Sequence, residues 1–203
     1  MKRIELKVDD NFNVNKVSFV DEPAIESNFQ YFKKQNIEKR LVTGPAMRPN
    51  IDIPRIDIVT REEYSVWFSE ETVRQASELF MKNNNQNTSN LNHKFSIDGV
   101  TVVESYIIQD ENINNAKALG FTDVKKGDWW VTFKVYNDEL WNEFIKTGVV
   151  QGFSVEGSFI EQFTSIFEKQ FIDCDKLFEE LKGLNENNIE EFKNKISNMP
   201  TKK

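Results

Sequence analysis

The spacing of apolar residues changes near residue 160, and this change constrains the fold more than any other feature of the chain. Before it, short runs rich in β-branched and aromatic residues, as in 101–109, 129–136 and 149–160, are separated by polar or glycine-containing segments, which is typical of β-strands. After it, apolar residues recur every three to four positions, which is typical of amphipathic helices. The sequence therefore predicts a β-rich domain over residues 1–160 and a helical C-terminal tail over residues 161–203.

Two helices are predicted within the β-rich domain. Ser69 can cap the first, because two acidic residues follow it and apolar residues then lie on one face. Asp138 can cap the second, which ends before Gly148. Residues 83–92 are almost entirely Asn, Gln, Ser and Thr, and this composition predicts a mobile loop leading to His93. Two helices among many short strands predict the α+β class.

The charge and the scarce reactive residues exclude several classes of protein. The formal net charge is −7 with no long basic run, which argues against a nucleic-acid-binding protein. Cys174 is the only cysteine and His93 the only histidine, so an internal disulfide and the usual Cys/His zinc sites are excluded. No apolar run approaches the roughly 20 residues that span a bilayer, so no membrane partner is expected.

Two residues could together carry nucleophilic chemistry. His93 is the only side chain that ordinarily acts as a base near neutral pH. Ser154 falls on the predicted strand 149–160, on the face opposite the apolar residues, and Gly152 leaves space beside its hydroxyl. The alternatives are that His93 is structural and that Ser154 is an ordinary solvated serine.

Glu104 is a candidate partner for the histidine. On the predicted strand 101–109 it shares a face with apolar residues, so its carboxylate is expected to be partly buried and to need a partner. A histidine on an adjacent strand would serve, with its other ring nitrogen accepting a serine proton. The alternatives are that this face is exposed, or that Glu104 pairs with Lys or Arg.

Several short segments carry a family resemblance through their order and spacing. They are VSFVDEPA (17–24), GPAMRPN (44–50), YSVWFSEETV (64–73), LNH (91–93), VVESYI (102–107), KKGDWWV (125–131) and GFSVEG (152–157). Together they resemble the XkdF-like phage serine proteases, a branch of the prohead, or capsid maturation, proteases of tailed phages. The resemblance covers roughly residues 15–160 and leaves out the tail.

The resemblance implies a serine endopeptidase related to herpesvirus assemblin, with a small, mostly antiparallel β-barrel-like body, flanking helices and no metal or organic cofactor. Ser154 is then the nucleophile, His93 the general base and Glu104 the third member, with Asp138 and Glu156 as alternatives. The implied substrates are the major capsid protein, the scaffold protein and the enzyme itself. The implied location is the host cytoplasm, inside the assembling procapsid, and also the virion, with self-association.

Two other functions compete with this hypothesis. One is a catalytically inactive scaffold, or a minor head structural protein, that keeps the protease fold. The other is an unrelated host-side binding module. The position of His93 relative to Ser154 discriminates among them, since a large separation in an ordered fold would leave only a structural role.

Overall fold

The computed structural model describes residues 2–23, 30–34 and 37–162 of the chain. The chain divides into two units, Met1–Phe163 and Thr164–Lys203, and the described residues all belong to the first. The predicted helical tail and Cys174 lie outside the described residues.

The described residues form twelve strands and few helices. The strands are β1 (Lys2–Lys7), β2 (Val14–Val20), β3 (Gln30–Lys34), β4 (Ile37–Met47), β5 (Ile53–Ile56), β6 (Glu63–Phe68), β7 (Ser89–Leu91), β8 (Phe95–Ile97), β9 (Val100–Ile107), β10 (Trp129–Val135), β11 (Gly152–Gly157) and β12 (Ile160–Gln162). The helices are α1 (Glu70–Lys82) and α2 (Asn115–Ala118), with a 3₁₀ turn at Asn85–Asn87 and a π-helical turn at Leu140–Ile145.

The strands form three sheets of four strands, in the orders β12-β1-β6-β5, β3-β4-β10-β9 and β11-β2-β7-β8. Pairing is antiparallel except between β1 and β6 and between β2 and β7. The α+β class is therefore confirmed for the described residues. No closed barrel forms among the described strands, so the barrel-like closure expected from the resemblance is not found there.

Three phenylalanines join two of the sheets at the core, Phe19 and Phe153 from one and Phe133 from the other. Phe19 lies 5.0 Å from Phe133 and 5.3 Å from Phe153 between ring centroids, and Phe133 lies 5.2 Å from Phe153. All three side chains are buried, and each such burial contributes about 1.5–3 kcal/mol to stability. Because side chains alternate along a strand, anchoring Phe153 in the core directs Ser154 to the opposite face of β11.

Helix α1 begins where the sequence predicts. The Ser69 hydroxyl accepts a hydrogen bond from the Thr72 N–H at 3.3 Å, and Glu70 and Glu71 occupy the first turn. Phe80 of this helix packs edge-on against Trp129, with 5.4 Å between ring centroids. The cap and the apolar face are both local signals, which is why the sequence predicts this element well.

The second predicted helix has a different cap. The Leu140 N–H donates to the Asn137 side-chain oxygen at 2.8 Å, so Asn137 rather than Asp138 caps this segment. The Asp138 carboxylate instead forms an ion pair with Arg40 at 2.6 Å. The prediction that Asp138 is the cap was therefore wrong by one residue.

Residues 83–92 are not one continuous loop as predicted. They contain the 3₁₀ turn and strand β7, because their polar side chains bind backbone carbonyls of β2 and its flank. Ser89 Oγ donates to the Val17 carbonyl at 2.7 Å, and Thr88 Oγ1 donates to the Asn15 carbonyl at 2.7 Å. These long-range hydrogen bonds hold the chain that leads to His93 against β2.

Arg48, just after β4, is buried beside two aspartates. Its guanidinium lies 2.5 Å from the Asp123 carboxylate and 3.4 Å from that of Asp128. Burial raises the pKa of Asp128 to about 6, and hydrogen bonding from the Lys125 N–H and the charge of Arg48 offset this only in part. The fold therefore disfavours the ionised form of Asp128.

We expect Asp128→Asn to gain stability relative to wild type as pH rises from 4 to 7. The folded pKa of Asp128 lies above its unfolded value, so the wild type loses stability across this window, whereas Asn cannot ionise. The difference in unfolding free energy should grow by up to about 3 kcal/mol in denaturant titrations at successive pH values.

Asp123→Asn is the matched control, and its stability relative to wild type should change with pH in the opposite direction. The hydrogen bond from Arg48 lowers the pKa of Asp123, so the wild type loses this contribution as pH falls. Parallel pH profiles for wild type and Asp128→Asn would contradict the account of this cluster.

Candidate active site

Two neighbouring strands place polar side chains opposite each other on one sheet face. In the antiparallel pairing of β11 with β2, Ser154 lies opposite Ser18 and Glu156 lies opposite Lys16. Side chains of directly opposed residues share a face, with Cβ atoms about 5 Å apart. The Lys16 ammonium and the Glu156 carboxylate use this proximity to form an ion pair at 3.2 Å.

His93 lies in the tight turn between β7 and β8. The Lys94 N–H donates to the Leu91 carbonyl at 3.0 Å, and the two central residues, Asn92 and His93, have φ of 50° and 57°. Two positive φ values are the pattern of a type I′ turn, in which Gly is favoured at the second central position. A histidine there is held in a strained backbone conformation, as often occurs at functional sites.

The strain predicts that His93→Gly is more stable than His93→Ala. Both substitutions remove the imidazole and its contacts, but only Gly adopts positive φ without steric cost. The difference in unfolding free energy should be about 1 kcal/mol in denaturant titrations.

The same pair of substitutions at Lys94 is the control. Lys94 has no positive φ, so Lys94→Ala should be at least as stable as Lys94→Gly. A His93→Ala variant that is as stable as His93→Gly would show that the turn carries no such strain.

The imidazole of His93 contacts one residue from each of the two strands. Its Nδ1 lies 3.1 Å from Ser18 Oγ and 3.4 Å from Glu156 Oε2. The side chain is 40% exposed, so the ring covers Ser18 and keeps one side towards solvent. Among the described residues, Nε2 makes no hydrogen bond.

Asn90, on β7, connects the histidine to the glutamate. Its side-chain oxygen accepts a hydrogen bond from the His93 N–H at 3.1 Å, and its Nδ2 donates to Glu156 Oε2 at 2.6 Å. The residue is only 3% exposed, so the Asn90 side chain is held in place by its surroundings as well as by these two bonds. Asn90 therefore fixes the turn relative to the carboxylate.

The Glu156 carboxylate has three hydrogen-bond donors around it. Partial burial alone would raise its pKa, but hydrogen bonds from Asn90, Lys16 and His93 outweigh that effect, so the pKa of Glu156 lies below its ordinary value. Glu156 is therefore ionised at neutral pH and can only accept hydrogen bonds. The nitrogen of His93 that faces it is then favoured as a donor.

The two serines differ in their access to solvent. Ser18 is fully buried, with its hydroxyl against His93. Ser154 is partly exposed, and its hydroxyl makes no hydrogen bond within the described part of the chain. The structure therefore brings His93, Glu156 and Ser18 into contact and places Ser154 beside them without a direct contact to His93.

Glu104 lies elsewhere. It is exposed on β9, in a different sheet, and accepts a hydrogen bond from Thr132 Oγ1 at 2.6 Å. The register of the pairing with β10 shifts at this point. Thr132 pairs with Glu104, but the next residue, Phe133, pairs with Val102, so Val103 has no partner on β10 and forms a β-bulge. This bulge breaks the alternation on which the expected burial of Glu104 depended, and that expectation was wrong.

Ser18 and Asn90 are the contacts of His93 that sequence reasoning missed. Ser18 alternates with Val17 and Phe19, which marks it as a polar residue on the outer face of a strand. Asn90 lies in a run of polar residues and gives no separate signal.

A groove of about 400 Å³ runs beside β11. Buried apolar side chains from β1, β4 and β6 line it, together with Ser154 and Glu156 of β11. The charged side chains of Arg48, Arg55 and Glu161 line it as well. Within the described ranges, no group of three or more His, Cys, Asp or Glu side chains could hold a metal ion. The helices of that part of the chain are also too short or too polar to cross a membrane.

Comparison with known proteins gives one family. A family model described as putative phage serine protease XkdF matches residues 28–163. Neither the curated proteins nor the solved structures include a significant match. The matched range contains His93, Ser154 and Glu156, and it ends near the last described strand.

Proposed function

Because this chain belongs to the XkdF family of phage proteases, we propose that it is a serine endopeptidase with Ser154 as nucleophile, His93 as base and Glu156 as the orienting carboxylate. The observation that supports this proposal best is the position of the His93 imidazole. It contacts Glu156 on β11, the strand that also carries Ser154 two residues earlier on the same face.

The ionised Glu156 sets the tautomer of the histidine. A carboxylate that only accepts hydrogen bonds favours the hydrogen on Nδ1, which leaves the lone pair on Nε2. Nε2 then takes the Ser154 proton as the hydroxyl attacks a peptide carbonyl, and returns it to the leaving amine. Catalytic hydrogen bonds are often long in a free enzyme, and in this mechanism the one between Ser154 and His93 shortens as any acylating group, peptide or inhibitor, reaches the hydroxyl.

Access to substrate favours Ser154 over Ser18 as the nucleophile. Ser18 already touches the imidazole, but the residue has 0% exposure and a peptide carbonyl has no path to it. Ser154 lines the groove, where a substrate carbonyl can approach. In this mechanism Ser18 accepts a hydrogen bond from Nδ1 together with Glu156, and so supports the same tautomer.

The proposed substrates are the proteins of an assembling phage head. The role that we propose is cleavage of the scaffold protein, of extensions of the major capsid protein and of the enzyme itself, inside the procapsid in the host cytoplasm. The relation to prohead proteases and herpesvirus assemblin is part of the same proposal. High local concentration within a shell would reduce the substrate affinity that such an enzyme needs.

One observation favours a second candidate function. Ser154 and His93 are not hydrogen-bonded within the described residues, which suits an inactive protease fold used as a scaffold or minor head protein. Co-expression with the capsid and scaffold proteins, followed by mass spectrometry of their termini, tests both. New termini with the wild type that are absent with Ser154→Ala support the protease, and identical termini in both support the structural role.

A further inference from the structure

The groove beside β11 follows the edge of this strand rather than one of its faces. Five consecutive β11 residues, Phe153 to Gly157, line it. Successive side chains of a strand point to opposite faces, so a groove that touches every residue in turn must run along the strand edge. Among the described strands, β11 is the end strand of its sheet, with β2 as its neighbour.

The backbone groups of Val155 point towards this edge. The Phe19 carbonyl accepts from the Asn92 N–H at 2.9 Å and therefore faces β7, whereas the Val20 carbonyl accepts from Gln151 and faces the β11 side. Carbonyl directions alternate along a strand, so Ser18 also faces β11 and exchanges backbone hydrogen bonds with Ser154 opposite. The next residue, Val155, then directs its N–H and C=O to the groove.

The opposite side of the groove combines an apolar floor with the polar side chains of Arg48, Arg55, Tyr64 and Glu161. Ala46, Met47, Val66 and Phe68 on its floor are buried, and Ile53 of β5 lies half-buried at its rim. A volume of about 400 Å³ accepts more than one side chain of the size of Leu. An apolar floor facing a strand edge is the arrangement that binds an extended peptide, whose alternate side chains enter pockets.

We propose that the groove binds an extended peptide as an added strand on β11, with an apolar side chain of the peptide on the floor beside Ile53. This inference rests on the proposed function, and it adds the substrate class: extended segments with Leu, Ile, Val, Met or Phe near the scissile bond. Backbone hydrogen bonds to Val155 fix the register, and the apolar side chain determines where Ser154 attacks.

The test uses the full chain, a peptide library derived from a bacterial proteome, and mass spectrometry of the cleavage products. We expect apolar residues to be enriched at one fixed position relative to the cut, since the strand register fixes which peptide side chain faces Ile53. Ile53→Glu should reduce cleavage of those peptides at least tenfold. Ile53→Ala, which enlarges the rim without adding charge, should shift the preference towards Phe.

Ile56→Glu is the matched control, because Ile56 lies on the same strand, is 60% exposed and does not line the groove. It should cleave as the wild type does. Labelling of Ser154 by diisopropyl fluorophosphate, which needs no bound peptide, separates the two hypotheses. Labelled enzyme whose cut sites show no apolar preference, or are unchanged by Ile53→Glu and Ile53→Ala, would overturn the groove inference alone. An enzyme that is neither labelled nor active would overturn the proposed function.

Discussion

Ser154→Ala is expected to lower the rate of peptide cleavage by about 10³-fold or more, because the hydroxyl that forms the acyl-enzyme is lost. The fold should be unaffected, since Ser154 is partly exposed and its hydroxyl makes no hydrogen bond in the described part of the molecule. The measurement is cleavage of a peptide identified from the library, with thermal unfolding as the test of folding.

Ser158→Ala is the control for this substitution. Ser158 is an exposed serine just after β11, and its removal should change the rate less than twofold. Ser18→Ala provides the second comparison, because Ser18 touches the imidazole. If Ser18→Ala abolished cleavage while Ser154→Ala retained it, Ser18 would be the nucleophile and the account of substrate access would be wrong.

Glu156→Gln is expected to lower the cleavage rate by about 10²- to 10⁴-fold. The amide can donate a hydrogen bond to Nδ1 and so favour the tautomer in which Nε2 carries the hydrogen and cannot act as a base. The amide also lacks the charge that stabilises the imidazolium formed during the reaction. The measurement is the cleavage rate as a function of pH. If Glu156 had a purely structural role, its substitution would lower the rate at every pH and leave the shape of the pH profile unchanged.

Glu104→Gln is the decisive comparison for the third catalytic position. Glu104 is exposed and is hydrogen-bonded to Thr132. Both residues lie in a sheet that does not contain β11, so substitution of Glu104 should change the cleavage rate less than twofold. A large loss with Glu104→Gln and none with Glu156→Gln would restore Glu104 as the partner of His93.

Local signals in the sequence were sufficient for helix α1 and for about half of the strands, but not for β3, β4, β5, β7, β8 and β12. The cap at Ser69, the apolar face of α1 and the apolar run of β10 each depend on residues close in the chain. The polar run 83–92 was misread as a loop because its partners are carbonyls of β2, about 70 residues away. The composition of a segment shows that its side chains are polar, but not which groups those side chains will hydrogen-bond in the folded protein.

The candidate site was predictable only in part, for a similar reason. His93 and Ser154 stand out as residue types. The strand before His93, β7, and the strand that carries Ser154, β11, are the two neighbours of β2. The choice of carboxylate depended on strand register, and a bulge at Val103 that leaves no trace in the periodicity moved Glu104 to the exposed side. Asn90 has no chemistry of its own, so only the folded structure identifies it as the link between His93 and Glu156.

The most direct test of the account is to incubate the purified full chain with diisopropyl fluorophosphate and to locate the adduct by peptide mapping. We expect a single adduct on Ser154 that is lost in His93→Ala and formed much more slowly in Glu156→Gln, because all three side chains form one reactive site. An adduct on Ser18, or labelling of Ser154 that is indifferent to His93→Ala, would contradict the account.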